Sequence, residues 1–335
     1  HTVKGTAGVS YLGNSSSGLN GTGYNIPNNS LDLADISANQ ATGGYLNNVG
    51  SFQVKSRLAS IFLRAEYDYQ KRYLISAIIR RDGSTRFGEN NRFGYFPSVS
   101  GAWIFSDESF LTMPTFISFA KLRASYGISG NDRIGDFRYR ASLGGEGNYV
   151  FNDAIVIGSA IGAAGNPDLK WETTEQTNIG VDLTLFNSID LTANYFIKNT
   201  KDLLFQPAVS AILGTYGAGS SPPVVNGGDV RNSGLELDLG YETVSSNGLS
   251  FGATYNVTFI KNEVLRVPEG FAFIPGAAFS VGGNTSTRFE AGFPIGYYIG
   301  YETDGIFQNQ QEIAESSVTQ AGAQPGDLRF VDQNG

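Results

Sequence analysis

Apolar and polar residues alternate one by one along much of the chain, most cleanly between Arg57 and Tyr69. The apolar positions are Ala59, Ile61, Leu63, Ala65, Tyr67 and Tyr69, and the intervening, mostly polar positions are Ser60, Phe62, Arg64, Glu66 and Asp68. A period of two places successive side chains on opposite faces of a β-strand. The alternation resumes at Tyr73 after three polar residues, so the segment predicts a β-hairpin.

The same alternation recurs along the chain as far as residue 259. Its apolar positions are Leu122, Ala124, Tyr126 and Ile128; Thr177, Ile179, Val181, Leu183 and Leu185; Ile189, Leu191, Ala193, Tyr195 and Ile197; Leu235, Leu237, Leu239 and Tyr241; and Phe251, Ala253, Tyr255, Val257 and Phe259. With a first strand from Thr2 to Leu12, we expect roughly ten strands, an all-β fold and almost no helix.

The connections between these strands alternate in length. Short turns fall near residues 70, 187 and 244, whereas long, Gly-rich and polar segments fall near 13–53, 83–95, 129–170, 199–230 and 261–295. Transmembrane β-barrels join their strands by short periplasmic turns at one end and long extracellular loops at the other. The pattern therefore predicts a transmembrane antiparallel β-barrel.

Aromatic residues cluster near the expected strand ends, as Tyr67, Tyr69 and Tyr73 do around the first short turn. This placement is typical of the aromatic girdles at the two surfaces of a membrane. The alternative is that the large rings fill the core of a soluble β-sandwich. The regular alternation of short and long connections favours the barrel.

Composition and charge narrow the possible functions. The 335 residues include 43 glycines and 13% aromatics, as strands with tight bends require, but no cysteine, which excludes disulfides and thiol chemistry. A net charge of −8 argues against nucleic acid as a partner. The start at His1 lacks the features of a signal peptide, and no apolar run has the roughly 20 residues of a membrane helix.

The sequence gives little support for a catalytic site or a metal site. His1 is the only histidine, so no other histidine is present to form a catalytic triad or to bind a metal. We therefore expect no catalytic residue, cofactor or metal. Glu66 with Asp68 has the spacing of a carboxylate pair, but a solvated row on one strand face is the favoured interpretation. The segment from Asp332 to Gly335 begins like a calcium loop, although a plain turn is favoured there.

Several longer sequence motifs follow one another along the chain. They are RYLISAIIRRDGSTRFG at 72–88, GYFPSVS at 94–100, KLRASYG at 121–127, NPDLKWETTEQTN at 166–178, GDVRNSGLE at 228–236, PIGY at 294–297 and TDGIFQ at 303–308. Together they resemble the SusC/RagA family of TonB-dependent outer-membrane transporters, and the resemblance covers nearly the whole chain.

The resemblance implies a fold and a set of partners. It implies a 22-stranded barrel with an N-terminal plug, a SusD-like surface lipoprotein as lid, energy supplied by TonB through the plug, and import of a glycan or peptide oligomer across the outer membrane of a Gram-negative bacterium. We expect residues 1–335 to be part of one such barrel domain, without the plug and the terminal strands.

Alternation alone assigns side chains to the two faces of the wall. The residues expected to line the lumen are Arg64, Glu66, Asp68, Arg80, Lys121, Arg123, Gln176, Asp182, Asn194, Glu236 and Asp238. Those expected to face lipid are Ile61, Leu63, Ile179, Val181, Leu183, Leu191, Leu237 and Val257. Substitutions on the lumen face, such as Asp182→Asn, are expected to leave folding almost unchanged.

Two other functional hypotheses remain open at this point. The chain is alternatively a structural or interaction barrel subunit of a larger envelope complex, for which copurifying partners would be diagnostic. A soluble, secreted β-rich binding module is the third possibility. It would remain soluble without detergent and would not fractionate with membranes.

Overall fold

The structure is a computed structural model that describes residues 1–22, 48–144, 147–156, 158–207, 209, 212, 221–245, 248–277 and 285–333. Its contacts divide the chain into two units, residues 1–262 and 263–335, which are described separately below. The expectation that residues 1–335 form one domain therefore stays a prediction.

The long strands of the first unit follow one another along the chain, with short ones between them. They are β1 (Thr2–Thr22), β2 (Asn48–Tyr69), β3 (Tyr73–Ser84), β4 (Phe93–Ile104), β5 (Ile117–Asn131), β6 (Leu143–Gly144), β7 (Tyr149–Phe151), β8 (Ala154–Val156), β9 (Ala160–Ile161), β10 (Glu172–Leu185), β11 (Ile189–Lys201), β12 (Leu204–Phe205), β13 (Val225–Asn226), β14 (Asp229–Val244) and β15 (Ser250–Arg266), the last of which runs on into the second unit. Two 3₁₀ turns, Glu89–Asn91 and Phe105–Asp107, lie beside β4.

The long strands form one nine-stranded sheet in the order β1-β2-β3-β4-β5-β10-β11-β14-β15. Each long strand pairs with the next long strand along the chain, and the pairs with a defined register are antiparallel. The predicted antiparallel, mostly β architecture is confirmed. Short strands form separate pairs, β6 with β9, β7 with β8 and β12 with β13.

The short turns use backbone conformations that suit tight hairpins. Gln70 and Lys71 have φ of 54° and 57°, and Phe186 and Asn187 have φ of 53° and 55°. Two successive residues with positive φ make a type I′ turn, whose twist matches that of the flanking strands. The second turn thus centres on Phe186 and Asn187, which agrees with the short turn predicted near residue 187.

The first long connection is much shorter than the predicted 13–53, because β1 continues to Thr22 and β2 already begins at Asn48. The added stretch is rich in Gly and Ser and lacks apolar alternation, yet it pairs residue by residue as far as Thr22 with Asn48. The ring of Phe52 covers Gly18, where a Cβ would lie 2.4 Å from the ring. An aromatic ring over a cross-strand glycine stabilises a strand that glycine alone would weaken.

The other long connections begin and end within a few residues of the predicted bounds. The strands leave 85–92, 132–171 and 202–228 between them, against predictions of 83–95, 129–170 and 199–230. The last connection begins after Arg266 and not at 261. The nine long strands compare with roughly ten expected.

The apolar core of the first unit lies among the long connections and not between two sheets. Phe87, Leu169 and Val224 come from three different connections and are buried together with Trp171 and Phe96. The Trp171 ring lies 5.0 Å from that of Phe87 and 5.3 Å from that of Phe96. Because Phe96 is a residue of β4, this core attaches the long connections to the sheet.

Hydrogen bonds hold the same connections in place. The Trp171 indole donates to the carbonyl of Arg92, and the Asn166 amide donates to the carbonyl of Val224. The Asn226 amide donates to the carbonyls of Lys170 and Asp202. Polar connections of this length therefore have a defined packed conformation where the structure describes them.

A buried carboxylate joins two connections at the opposite end of the sheet. Glu108 accepts hydrogen bonds from Arg72 at 2.9 Å and from the Trp103 indole at 3.1 Å, and it also contacts the Tyr73 hydroxyl. The hydrogen bond from Tyr73, followed by those from Trp103 and Arg72, holds the pKa of Glu108 below its usual range. Glu108 is thus an ionised link between the β2–β3 turn and the β4–β5 connection.

The second unit contains three short strands, β16 (Phe273–Pro275), β17 (Thr287–Glu290) and β18 (Tyr297–Tyr298), in one sheet, and a pair made of β19 (Thr303–Ile306) and β20 (Leu328–Phe330). The helix α1 (Gln310–Glu315) begins at Asn309, whose side chain accepts from the Glu312 amide. Among the described residues, none of the helices is long and apolar enough to cross a bilayer.

The buried core of the connections gives a first prediction. Phe87→Ala should destabilise the packed connections by roughly 3–5 kcal/mol, because it leaves a cavity against Trp171 and Phe96. Hydrogen exchange of the intact protein should then become faster in residues 85–92 and 166–171, while amides in the middle of β3 stay protected. The control Phe87→Leu keeps most of the volume and should change exchange much less. Unchanged protection in the alanine variant would contradict the assignment of this core.

Candidate functional site

One face of the large sheet carries every residue that alternation assigned to the lumen. The registers place these side chains on the same face, namely Arg64, Glu66 and Asp68 on β2, Arg80 on β3, Lys121 and Arg123 on β5, Gln176 and Asp182 on β10, Asn194 on β11, and Glu236 and Asp238 on β14. We call this surface the polar face. None of the eleven residues is buried.

Pairs of opposite charge two residues apart occupy the polar face of β2 and β3. Arg64 contacts Glu66 at 2.6 Å, and Arg80 contacts Asp82 at 2.7 Å. Arg80 also donates to the hydroxyl of Ser60 on the neighbouring strand at 2.8 Å. A side chain two residues away is on the same face of a strand, so these pairs keep both charges on the polar side.

Asp182 is the most highly connected carboxylate of the polar face. Lys121 contacts it at 2.9 Å and Arg123 at 3.0 Å, both from β5, while Thr192 of β11 donates to it at 3.2 Å. The carboxylate thus links three adjacent strands. Its side chain is 20% exposed, so solvent screens these contacts only in part.

The remaining predicted residues differ in what they contact. The Asn194 amide donates to Glu236 at 3.0 Å, and Gln176 donates to Asn178. Asp68 accepts from the backbone of the β2–β3 turn, so its role there is structural. Asp238 makes no ion pair within the described part of the chain.

A cavity of about 490 Å³ opens on the polar face near the short-turn end. Its lining includes Lys4 from β1, Glu66 from β2, Arg123 from β5 and Asn194 from β11. Seven neighbouring strands contribute residues to this cavity. Small polar residues such as Ser76, which had not been singled out from the sequence although they follow the same alternation, line it as well.

The opposite face of the sheet is apolar and exposed. Ile61, Leu63 and Ile179 are 51%, 57% and 54% exposed. The other five residues assigned to lipid, Val181, Leu183, Leu191, Leu237 and Val257, are half-buried. No described element packs an apolar core against these positions, as a soluble sandwich would require, so this face is suited to a hydrocarbon environment.

The acidic residues in the described part of the chain do not form a metal site. Over the described ranges, no three His, Asp or Glu side chains come close enough to hold a metal ion. Glu66 and Asp68 each contact basic or backbone groups and not one another. The calcium-loop hypothesis for residues 332–335 includes residues 334 and 335, which lie outside the described residues, and it stays untested.

Comparisons with known proteins agree with this geometry. Residues 2–327 match the family described as TonB dependent receptor-like, beta-barrel. A TonB-dependent receptor of Formosa agariphila is 35% identical over 274 residues, which cover 80% of this chain and 24% of the relative. The TonB-dependent receptor SusC of Bacteroides thetaiotaomicron is 29% identical over 294 residues, which cover 85% of this chain and 28% of SusC.

A solved structure is similar as well. The structure of the RagAB peptide transporter superposes with a TM-score of 0.76 at 26% identity, over 92% of this chain and 32% of that chain. The chain therefore spans about a quarter of the two curated relatives and about a third of the solved one.

The sheet and its two faces define the wall of an outer-membrane β-barrel, and the family that this chain matches consists of receptors and transporters and not of enzymes. Within that class, the chain belongs to the TonB-dependent receptor family and forms part of its barrel, with SusC- and RagA-type transporters among its relatives. The resemblance, fold class and outer-membrane location expected from the sequence are confirmed.

The contacts of Asp182 change the expectation for this residue and give a second prediction. Asp182→Asn removes the anion shared by Lys121 and Arg123 and should lower the free energy of unfolding by about 1–3 kcal/mol. Asp238→Asn, on the same face and with no ion pair in the described part of the chain, is the matched control and should change it by less than about 0.5 kcal/mol. Urea unfolding of the intact protein in lipid would measure both. Equal effects would show that the shared ion pair adds no stability.

Proposed function

We propose that this chain forms wall and extracellular loops of a TonB-dependent importer that carries an oligomeric nutrient, a glycan or a peptide, across the outer membrane. The observation that carries the proposal is the polar face, which runs across the large sheet from β2 to β14 and holds a cavity of about 490 Å³. The eleven residues of that face then line the lumen of the barrel. A hydrated, charged wall lets a polar oligomer pass without entering hydrocarbon.

The chemistry of the polar face suits an oligomer with many polar groups. Its arginines are paired with carboxylates, as Arg64 is with Glu66 and Arg123 is with Asp182, whereas Asp238 forms no ion pair within the described part of the chain. Such a wall presents hydrogen-bond donors and acceptors of both kinds. Both peptides and glycans fit such a wall, and the RagAB relative is a peptide transporter by its description.

In this proposal, partner proteins supply the energy for transport and capture the substrate. TonB acts through a plug segment of the intact protein, and a SusD-like lipoprotein closes the barrel from outside, as the RagAB and SusC relatives suggest. The hairpin β7–β8 supports a lid contact, because Tyr149 and Phe151 are 71% and 63% exposed at the end of the sheet with the long connections. Tyr216, an aromatic residue of the predicted 199–230 connection, lies outside the described residues.

If the oligomer passes along the polar face, a bulky side chain placed there should slow its uptake. Asn194→Trp places a large ring at the cavity and should reduce uptake of the oligomer several-fold, whereas Tyr195→Trp, one residue away on the apolar face, should leave uptake unchanged. Uptake of labelled oligopeptides and oligosaccharides by cells producing the intact protein would measure this. Cells lacking the protein and cells treated with a protonophore give the baseline.

The outcomes separate the alternatives. Uptake of one oligomer class that requires both the protein and the proton gradient would identify the substrate class. Uptake that is equal in cells with and without the protein would overturn the import proposal. The alternative of a structural subunit in an envelope complex would then be preferred.

A further inference from the structure

Three neighbouring basic side chains of β2 and β3 lie on the apolar face of the large sheet, where charge is unexpected. Lys55 and Arg57 on β2 share the face of Ile61 and Leu63, and Arg81 on β3 pairs directly with Ile61. All three side chains are exposed. We call Lys55, Arg57 and Arg81 the outer basic cluster.

The outer basic cluster lies at the end of the sheet with the long connections. Along β3 the apolar face presents Tyr73, Ile75, Ala77 and Ile79 before it reaches Arg81. Eight residues of strand span about 26 Å, or about 20 Å of membrane depth after a tilt of about 40°. Since the apolar band of such barrels is about 25 Å tall, Arg81 lies near its outer boundary, and Arg57 lies beyond it.

The cluster differs from the basic residues of the polar face. Arg64, Arg80 and Arg123 each contact a carboxylate of this chain within 3.0 Å. Among the described residues, Lys55, Arg57 and Arg81 have no such ion pair. The chain as a whole carries a charge of −8, so the cluster is a local exception to its electrostatic character.

Aromatic rings hold one of the cations at this level. The Arg81 guanidinium lies 3.9 Å from the centre of the Phe93 ring and 5.7 Å from that of Tyr95. Tyr95 pairs with Arg81 across the strands, and Tyr11 occupies the same face on β1. Aromatic rings of this kind sit at the headgroup level of a membrane, and a guanidinium stacked on them keeps its donors free for another acceptor.

We propose that the outer basic cluster binds the phosphate groups of a lipid headgroup in the outer leaflet of the membrane. An arginine guanidinium is suited to phosphate because it offers two parallel N–H donors, and lysine adds a point charge. The position on the lipid-facing side selects a phosphate that is carried by a lipid. The proposal goes beyond import and does not depend on the substrate of the barrel.

Lipid binding to the intact protein tests the proposal. Native mass spectrometry in detergent would compare binding of bisphosphorylated lipid A with that of the same lipid without phosphates. A Lys or Arg near an anionic lipid surface contributes about a fivefold change in binding. We expect Arg57→Gln and Arg81→Gln each to weaken binding of the phosphorylated lipid about fivefold, and the triple variant with Lys55→Gln roughly a hundredfold.

The matched control is Lys201→Gln, on the same face and at the same end of the sheet. Lys201 is already paired with Glu175 at 2.8 Å, so its loss should leave the preference for the phosphorylated lipid unchanged. The single variants change exposed side chains only and should fold normally, which heat-modifiability on a gel would verify.

Two results would overturn the proposal. One is a triple variant that keeps the wild-type preference for phosphorylated lipid A. The other is displacement of the lipid by an equal concentration of inorganic phosphate, since that would assign the cluster to a free anion. Loss of the preference in the triple variant but not in Lys201→Gln, with the lipid retained in the presence of phosphate, would support it.

Discussion

The whole arrangement depends on the need to pair every backbone N–H and C=O group that lies in hydrocarbon. An unpaired group in a bilayer costs several kcal/mol, so a spanning chain without long apolar helices must pair strand with strand. The nine long strands meet this requirement as neighbours in sequence order. Type I′ turns at Gln70-Lys71 and Phe186-Asn187 keep successive strands adjacent without a crossover.

Once the backbone is paired, the two faces of the sheet are free to differ in chemistry. Side chains with a period of two give one face rich in ion pairs and an opposite face rich in Ile, Leu and Val. Asp182 and Ile179, three residues apart on β10, illustrate this difference. Asp182 contacts the side chains of Lys121 and Arg123, whereas Ile179 is exposed and packs against no apolar core among the described residues. In the proposed function, transport and membrane insertion therefore use alternate residues of the same strands.

Alternation in the sequence was enough to predict the strands and the assignment of polar side chains to one face, because both follow from the period alone. It did not predict the outer halves of β1 and β2, where Ser15, Gly18 and Asn20 show no apolar pattern and only cross-strand pairing defines the strand. Nor did it predict the buried core of Phe87, Leu169, Trp171 and Val224, because its members are up to about 140 residues apart and have no local period. The sharing of Asp182 by Lys121 and Arg123 likewise depends on register, which the separate strand patterns do not specify.

The most direct test of the two-faced wall is the environment of successive residues along β10. The chain contains no cysteine, so single cysteines introduced from Gln176 to Leu183 would be unique within it. Each would be scored, in the intact protein in lipid, for labelling by a water-soluble maleimide and for quenching of an attached fluorophore by brominated lipid. We expect maleimide labelling at positions 176, 178, 180 and 182 and lipid quenching at 177, 179, 181 and 183. Labelling and quenching that do not alternate along the strand would contradict the account.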